Sequence, residues 1–522
     1  MGGWASPTPA AAVRAYDAAA APLTWRAVVV AAVAASAGLL FGIDLGITGG
    51  VTSNASFLET FFPHVRAAQA AAAAGAGGPG GMWCQFEDHG LSLFTSSIFL
   101  AGAFSSLVAA NISRRSRKRT LLIAGGCFLV GAGLCAGAVH KAMLICGRIM
   151  LGLGVGLANQ AAPVYLSETA PPRWRGAVTI LFQLATTFGI LLAQVINLFT
   201  LRHDYGWRIS LAVAGGPALA LLLGAAALPE TPNCLAARGE GPAARAALER
   251  LRGTGEVDAE FDDIMAAARM CGSTRGEWRA LFSRRRLPEL VVGCGVAAFS
   301  QANGINAILF FTPATFSSLG LGAQASLLNA VVVNGTLFLG TFVSLALVDR
   351  VGRRPLLLQG SLQMLLCMAG VAAALGVSTQ GGTAPLSPPG AVAMLVLTCL
   401  FVGGFAWTWG PIGWLLPSEC CPLDCRQAGQ SLFTTTNFLV AFATTQAFFS
   451  ELCAMRFYVY LFFAGFIILQ LLFVALLVPE TRGVPIEQMG ALWEGHRVWG
   501  RWLAAARGGG AGGGDGKAAA VV

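Results

Sequence analysis

Apolar runs of about twenty residues, enough for a helix to cross the hydrocarbon core of a bilayer, recur along this chain between short polar connections. They predict twelve membrane-spanning helices, at 26–48, 91–112, 120–139, 142–164, 176–200, 208–228, 288–313, 325–348, 354–378, 390–415, 427–449 and 456–478. One charged, helix-favouring stretch, 230–286, interrupts the series and divides it into six plus six. The expected organisation is therefore an N-terminal tail 1–24, a six-helix half 25–229, a helical linker 230–286, a second half 287–479 and a tail 480–522. Within the first half, 49–90 is long enough to form a small structure of its own between spans 1 and 2. Residues 1–24 lack a basic n-region and no cleavage site follows, so span 1 reads as a retained helix and not a signal peptide. The residues after Met489 read as a short featureless tail, with Gly/Ala-rich disorder expected over 504–522.

Composition agrees with the apolar pattern. Only 11% of the 522 residues are charged and 55% are hydrophobic, against about a quarter charged in soluble domains. The net charge of +9 then reports topology and not nucleic-acid binding. Basic residues crowd into "SRRSRKR" (113–119), "RWR" (173–175), "RRR" (284–286) and "DRVGRR" (349–354), while the alternate loops hold few. By the positive-inside rule both termini and the linker are cytoplasmic and 49–90 is external. Thirteen cysteines show no C-x-x-C pair and five histidines no ligand cluster, so neither a metal nor another cofactor is expected. No nucleophile and base are grouped as an enzyme would need. "GRIMLGLGVGLANQ" (147–160) imitates a dinucleotide fingerprint but lies inside span 4 with no preceding strand; its glycines fit close helix packing.

The two halves repeat one another. "ISRRSRKRTLL" after span 2 answers "LVDRVGRRPLL" after span 8; Glu168 stands seven residues before Arg175, as Glu419 does before Arg426; "PETP" closes span 6 and "PETRG" closes span 12. Arg117, Arg175, Arg353 and Arg426 thus share the cytoplasmic ends with Glu168, Glu230, Glu419 and Glu480. Ion pairs running between the halves are expected there, as a latch for an outward-open state.

Two charges lie inside apolar spans. Asp44, in "LLFGIDLGITGG", and Arg148, in "CGRIML", would each cost roughly 2.5–3.5 kcal/mol alone near the bilayer centre; a pair between neighbouring helices explains both. Burial opposes the carboxylate's charge and the arginine supports it, so making and breaking the pair would bind and release a proton. A static pair that only fixes helix packing is the plainer reading. Amides are the other buried polar groups: Gln183 and Gln194 in span 5, Gln301, Asn303 and Asn306 in span 7, Asn334 in span 8 and Asn437 in span 11. Amides donate to and accept from hydroxyls, and the tryptophans of "WTWGPIGWLLP" offer flat faces to a sugar ring. Some of these amides are instead expected to bridge helices.

The motifs "GRR", E-x6-R, "PET" and "PETRG" resemble those of the sugar-porter branch of the major facilitator superfamily. "ANQAAPVYLSE", "GPIGWLLPSE", "PETRGVPIEQM" and the external cysteine segment resemble more narrowly the plant sugar transport proteins, which are proton/monosaccharide symporters. The resemblance covers about residues 25–495. It implies an all-α major facilitator fold with an external lid, in the plasma membrane, importing a hexose-class monosaccharide with protons as coupling ion and working as a monomer. It implies sugar contacts from Gln183, Gln301, Asn306, Trp414 and Asn437, with Phe41, Leu45 and Ile190 as apolar neighbours. It assigns the coupling role to Asp44 and Arg148, and ties the lid down by a Cys84–Cys453 disulfide. Five positions depart from the family pattern: Ser113 stands where many members have a charged residue, Ser116 replaces a glycine, Ser300 a glutamine, Phe311 a tyrosine and Leu337 an asparagine, with Asn334 one turn earlier. An uncoupled sugar facilitator has no need of Asp44, and a non-transporting sugar sensor would be expected to carry long cytoplasmic extensions.

Overall fold

The computed structural model describes residues 24–73, 81–171, 175–270, 277–381, 386–421, 425–482 and 489–508, and every regular element among them is helical. Eleven helical stretches are long and apolar enough to cross a membrane, and the last, Arg426–Leu477, contains two helices joined by the turn Arg456–Tyr458. Twelve spans result. Span 1 is Trp25–Val51, span 2 His89–Arg115, span 3 Arg117–Ala136, span 4 Lys141–Thr169, span 5 Arg175–Thr200 and span 6 Gly206–Val213 continued by Gly215–Ala227. Span 7 is Leu287–Ala302 with Ile305–Ser318, span 8 Ala323–Val351, span 9 Arg353–Ser378, span 10 Pro388–Trp407 with Trp409–Cys420, span 11 Arg426–Met455 and span 12 Val459–Leu477. Most spans outrun their apolar runs by a turn, because helical hydrogen bonding continues past the point where hydropathy falls.

Small residues let the backbones approach. Spans 1 and 5 pack closely, and a Cβ on Gly42 would collide with the backbone of Thr186. Spans 2 and 4 meet in the same way where Gly152 and Gly156 face Ile98 and Gly102, the role expected of the span-4 glycines. Two spans are broken. Span 7 interrupts at Asn303–Gly304, where Gly304 has φ +85° and its missing Cβ leaves room for the Phe463 ring. The Asn303 side chain accepts from Ile305 N at 3.0 Å and so restarts the helix. Span 10 breaks at Thr408, just before "WGPIGW".

Between spans 1 and 2, the segment anticipated as a lid contains helices Ala55–Phe61 and Pro63–Ala73, and a Cys84–Cys453 disulfide ties it to the end of span 11, with Cα atoms 4.5 Å apart. At the opposite, arginine-rich end lie the linker helices Pro232–Ala237, Gly241–Arg252, Asp258–Met270 and Glu277–Leu281. Buried Arg252 donates to the carbonyls of Thr169 (2.9 Å) and Ala170 (3.2 Å) at the end of span 4, and Glu260 holds it at 2.6 and 2.9 Å. Thr24 caps span 1 and donates to Leu251 O at 2.7 Å.

The tail corrects an expectation. Residues after Met489 are not featureless: Met489–Gly495 and Arg497–Gly508 are helical, and Trp493, Trp499 and Leu503 are buried. Apolar side chains four residues apart, 499 and 503, supply a buried face that Gly/Ala content concealed. The disorder expected from residue 504 does not begin there, since 504–508 continue the helix; residues 1–23 and 509–522 lie outside the described residues.

Candidate functional site

A cavity lies between the halves, lined by side chains of both. All eight residues anticipated as sugar contacts line it: Phe41, Leu45, Gln183 and Ile190 from the first half, and Gln301, Asn306, Trp414 and Asn437 from the second. The break in span 7 explains part of the arrangement, since Gln301 precedes it and Asn306 follows it. Irregular backbone at membrane depth is tolerated where it lines such a space. The amides form a chain: Asn306 Nδ2 donates to Gln301 Oε1 at 2.7 Å, Gln301 Nε2 to Asn437 Oδ1 at 3.2 Å, and Asn437 Nδ2 to Ser300 Oγ at 2.9 Å and Ala297 O at 3.1 Å. Ser300, one of the departures, therefore fixes Asn437 while lining the cavity. Leu337 lines it too, whereas Phe311 is stacked away against Phe448 at 5.1 Å.

Three other amides bond to nearby backbone: Gln194 Nε2 donates across to Gly46 O of span 1 at 3.1 Å, Asn334 Nδ2 donates to Ala330 O within its own span at 2.8 Å, and Asn303 Oδ1 accepts from Ile305 N at the break in span 7. Trp409, one of the tryptophans of "WTWGPIGWLLP", lines the cavity as well, and Thr186, Thr187, Phe99, Phe405 and Phe438 line it without having been anticipated. Thr186 and Thr187 stand three and four residues after Gln183, on its helix face, a signal that was available in the sequence.

Span 2 shows how the space is closed. Ser96 donates to Gln446 at 2.6 Å on the lid side, Phe99 lines the cavity, and Ser106 bonds Thr435 at 2.7 Å on the arginine-rich side. The halves thus touch above and below.

Asp44 shares a helix with Phe41 and Leu45. It is 3% exposed, Arg148 is fully buried, and Arg148 Nη1 donates to Asp44 Oδ1. Arg148 Nε also donates to Phe94 O at 3.0 Å, and its guanidinium lies 5.0 Å from the Phe94 ring centre. Phe57, from the segment anticipated as a lid, packs on Phe94 at 5.3 Å and on Trp207 at 5.7 Å. Phe57 of that segment, Phe94 of span 2 and Trp207 of span 6 thus form an aromatic cluster beside the pair.

The latch residues assemble differently from expectation. Arg117 Nη2 donates to Glu168 at 3.1 Å, and Glu230 accepts from the Arg117 and Lys118 backbone at 3.1 and 3.3 Å. Arg353 Nη2 donates to Glu419 at 2.9 Å, and Glu480 accepts from the Arg353 and Arg354 backbone at 3.0 Å each. Each cluster stays inside its own half, because each arginine opens a span whose neighbour in the same half ends at the glutamate. Neutral side chains also meet between the halves at this end: Ser106 and Thr435, and Gln160 and Gln427 at 3.5 Å. Arg426 opens span 11, and the Arg175 side chain lies outside the described residues.

With this geometry in view, similarity to known proteins is informative. Residues 30–493 match the family described as "Sugar (and other) transporter". The chain is 47% identical over 484 residues to H(+)/hexose cotransporter 2 of Parachlorella kessleri, covering 92% of this chain and 88% of that protein. It is 44% identical to sugar transport protein 7 of Arabidopsis thaliana, covering 92% of this chain and 93% of that one. The major facilitator proton:xylose symporter XylE, solved with 6-bromo-6-deoxy-D-glucose, superposes with a TM-score of 0.73 at 26% identity, over 91% of this chain and all of that one. The twelve-helix architecture is that of the major facilitator fold.

Proposed function

The chain belongs to the sugar transporter family, and from that premise we propose that it imports a hexose-class monosaccharide together with a proton by alternating access. The relatives' names support both cargoes. The observation that carries the coupling is the buried Asp44–Arg148 pair, one residue from cavity-lining Leu45 on the same helix. A facilitator would gain nothing from burying these charges.

In this reading the sugar hydroxyls exchange hydrogen bonds with the Asn306–Gln301–Asn437 chain, and Trp414 presents an apolar face to the ring. Phe41, Leu45 and Ile190 close the cavity from the first half. Asp44, protonated from the lid side, loses its attraction for Arg148. Span 1 is then free to adjust, and with it Phe41 and Leu45. After the sugar leaves on the arginine-rich side, the proton follows and the pair re-forms. Arg148 keeps its place meanwhile through Phe94 O and the Phe94 ring. Residues 25–229 and 287–479 act as the two rocking halves, 230–286 as their linker and 49–90 as an external lid. The clusters of Arg117, Glu168 and Glu230, and of Arg353, Glu419 and Glu480, stiffen each half. Both termini are cytoplasmic, the site of action is the plasma membrane, and one chain is the working unit.

Proteoliposomes holding the purified chain test this. An inward proton gradient should drive accumulation of labelled hexose, with glucose, galactose, xylose and fructose as competitors. Asp44→Asn should abolish gradient-driven accumulation while sugar exchange at equal pH persists. Gradient-driven accumulation left intact in that variant would falsify the coupling role.

A further inference from the structure

The helix Arg497–Gly508 serves none of the steps above. It is held at the end of the last span: Trp499 Nε1 donates to Leu477 O at 2.8 Å, and Trp493 meets Trp499 edge to face at 6.4 Å. One residue before Leu477, Leu476 is 59% exposed, as expected of a lipid-facing side chain. The helix therefore sits level with the membrane surface, beside the lipid.

Its outer faces are sorted. Arg497 and Arg501, one turn apart, are exposed, and neither pairs with a carboxylate among the described residues. Val498 is 42% exposed and Trp502 half-buried, forming an adjacent apolar column. The helix also packs against the turn Arg284–Arg286, where Arg284 and Arg285 are exposed. Residues 489–508 contain three arginines against one glutamate. A basic column beside an apolar one, with a tryptophan between water and hydrocarbon, suits a helix lying in the membrane interface.

We propose that this helix binds anionic phospholipid headgroups of the leaflet at the arginine-rich end, through Arg497 and Arg501 and the neighbouring Arg284 and Arg285. Val498 and Trp502 enter the acyl boundary, and Trp499 anchors the helix to span 12. The site takes a phosphodiester with net negative charge and rejects the zwitterionic equivalent.

Native mass spectrometry of the full chain in detergent, titrated with phosphatidylserine or phosphatidylcholine, tests the assignment. Phosphatidylserine should bind in preference, and Arg497→Gln with Arg501→Gln should weaken it by about thirtyfold, a factor of about five for each charge at the surface. The paired Arg→Lys variant should restore binding, since surface attraction needs only the charge. Raising salt should weaken the wild type more than the glutamine variant. Binding unchanged in the glutamine variant overturns the proposal. So does displacement of the lipid by glycerophosphoserine, which would mark a site for free anions. A loss of dimers in the glutamine variant, with lipid retained, would assign the face to a second copy of the chain.

Discussion

The two halves carry nearly the same hydrogen-bonded cluster at the arginine-rich end and quite different groups within the membrane. In both clusters an arginine at the start of a span meets a glutamate, 3.1 Å for Arg117–Glu168 and 2.9 Å for Arg353–Glu419. In both a threonine holds the second oxygen of that glutamate, Thr231 at 2.6 Å and Thr481 at 2.9 Å. Deeper in, the first half has a carboxylate and a guanidinium, and the second has a chain of neutral amides. In the proposed transport cycle, a shared scaffold with different interiors separates two duties: the first half carries the proton-coupling pair, and the second supplies most of the amides for sugar hydroxyls.

The turns of the two clusters differ as well. Gly352 has φ +109°, and a Cβ there would strike the Glu480 carboxylate. Ser116 has φ −163°, extended backbone open to any residue, so its hydroxyl is free for other work. It accepts from Arg119 N at 3.0 Å and donates to Glu230. Replacing the family's glycine here does not loosen the turn. It adds a cap.

Substitutions in both halves probe the contrast, beginning with the largest effect. Arg148→Met should cost about 3–5 kcal/mol, because it strands the Asp44 charge in the interior. Thermal unfolding in detergent would register this, and adding Asp44→Asn should recover much of the loss. If the single variant were as stable as wild type, the charge in the first half would not depend on its partner. Gln301→Ala should leave the fold largely intact and weaken sugar affinity by roughly tenfold to a hundredfold, since Asn306 and Asn437 lose a shared partner. Half-saturation for uptake is the readout, and an altered pH dependence there would blur the division between halves. Gly352→Ala should cost about 1–2 kcal/mol in backbone strain, with the Glu480 contact added, whereas Ser116→Gly should cost only a few tenths. Equal losses in unfolding temperature would contradict the difference between the turns.

The twelve spans and the repeat were legible in the sequence, since span length and motif spacing are one-dimensional signals; the lining amides stood out as polar groups in apolar spans, and the apolar lining came from the family resemblance alone. Asp44 and Arg148 stood out because an isolated charge in an apolar run needs a partner. The direction of the glutamate–arginine contacts was not legible: Glu168 and Glu419 look alike on paper, and only helix order in space sends each to its own half. The lid aromatics around Phe94 were equally hidden, because Phe57 and Trp207 are 150 residues apart and meet only through packing. The tail helices escaped because glycine and alanine masked the spacing of Trp499 and Leu503.

The linker residues Leu251 and Arg252 hold the starting end of span 1 and the finishing end of span 4. Asp44 and Arg148 each lie about twenty residues from those anchors, roughly 30 Å along the helix. Two rods pinned side by side at one end do not slide past each other. Separating Asp44 from Arg148 therefore requires span 1 or span 4 to bend between its anchored end and the pair.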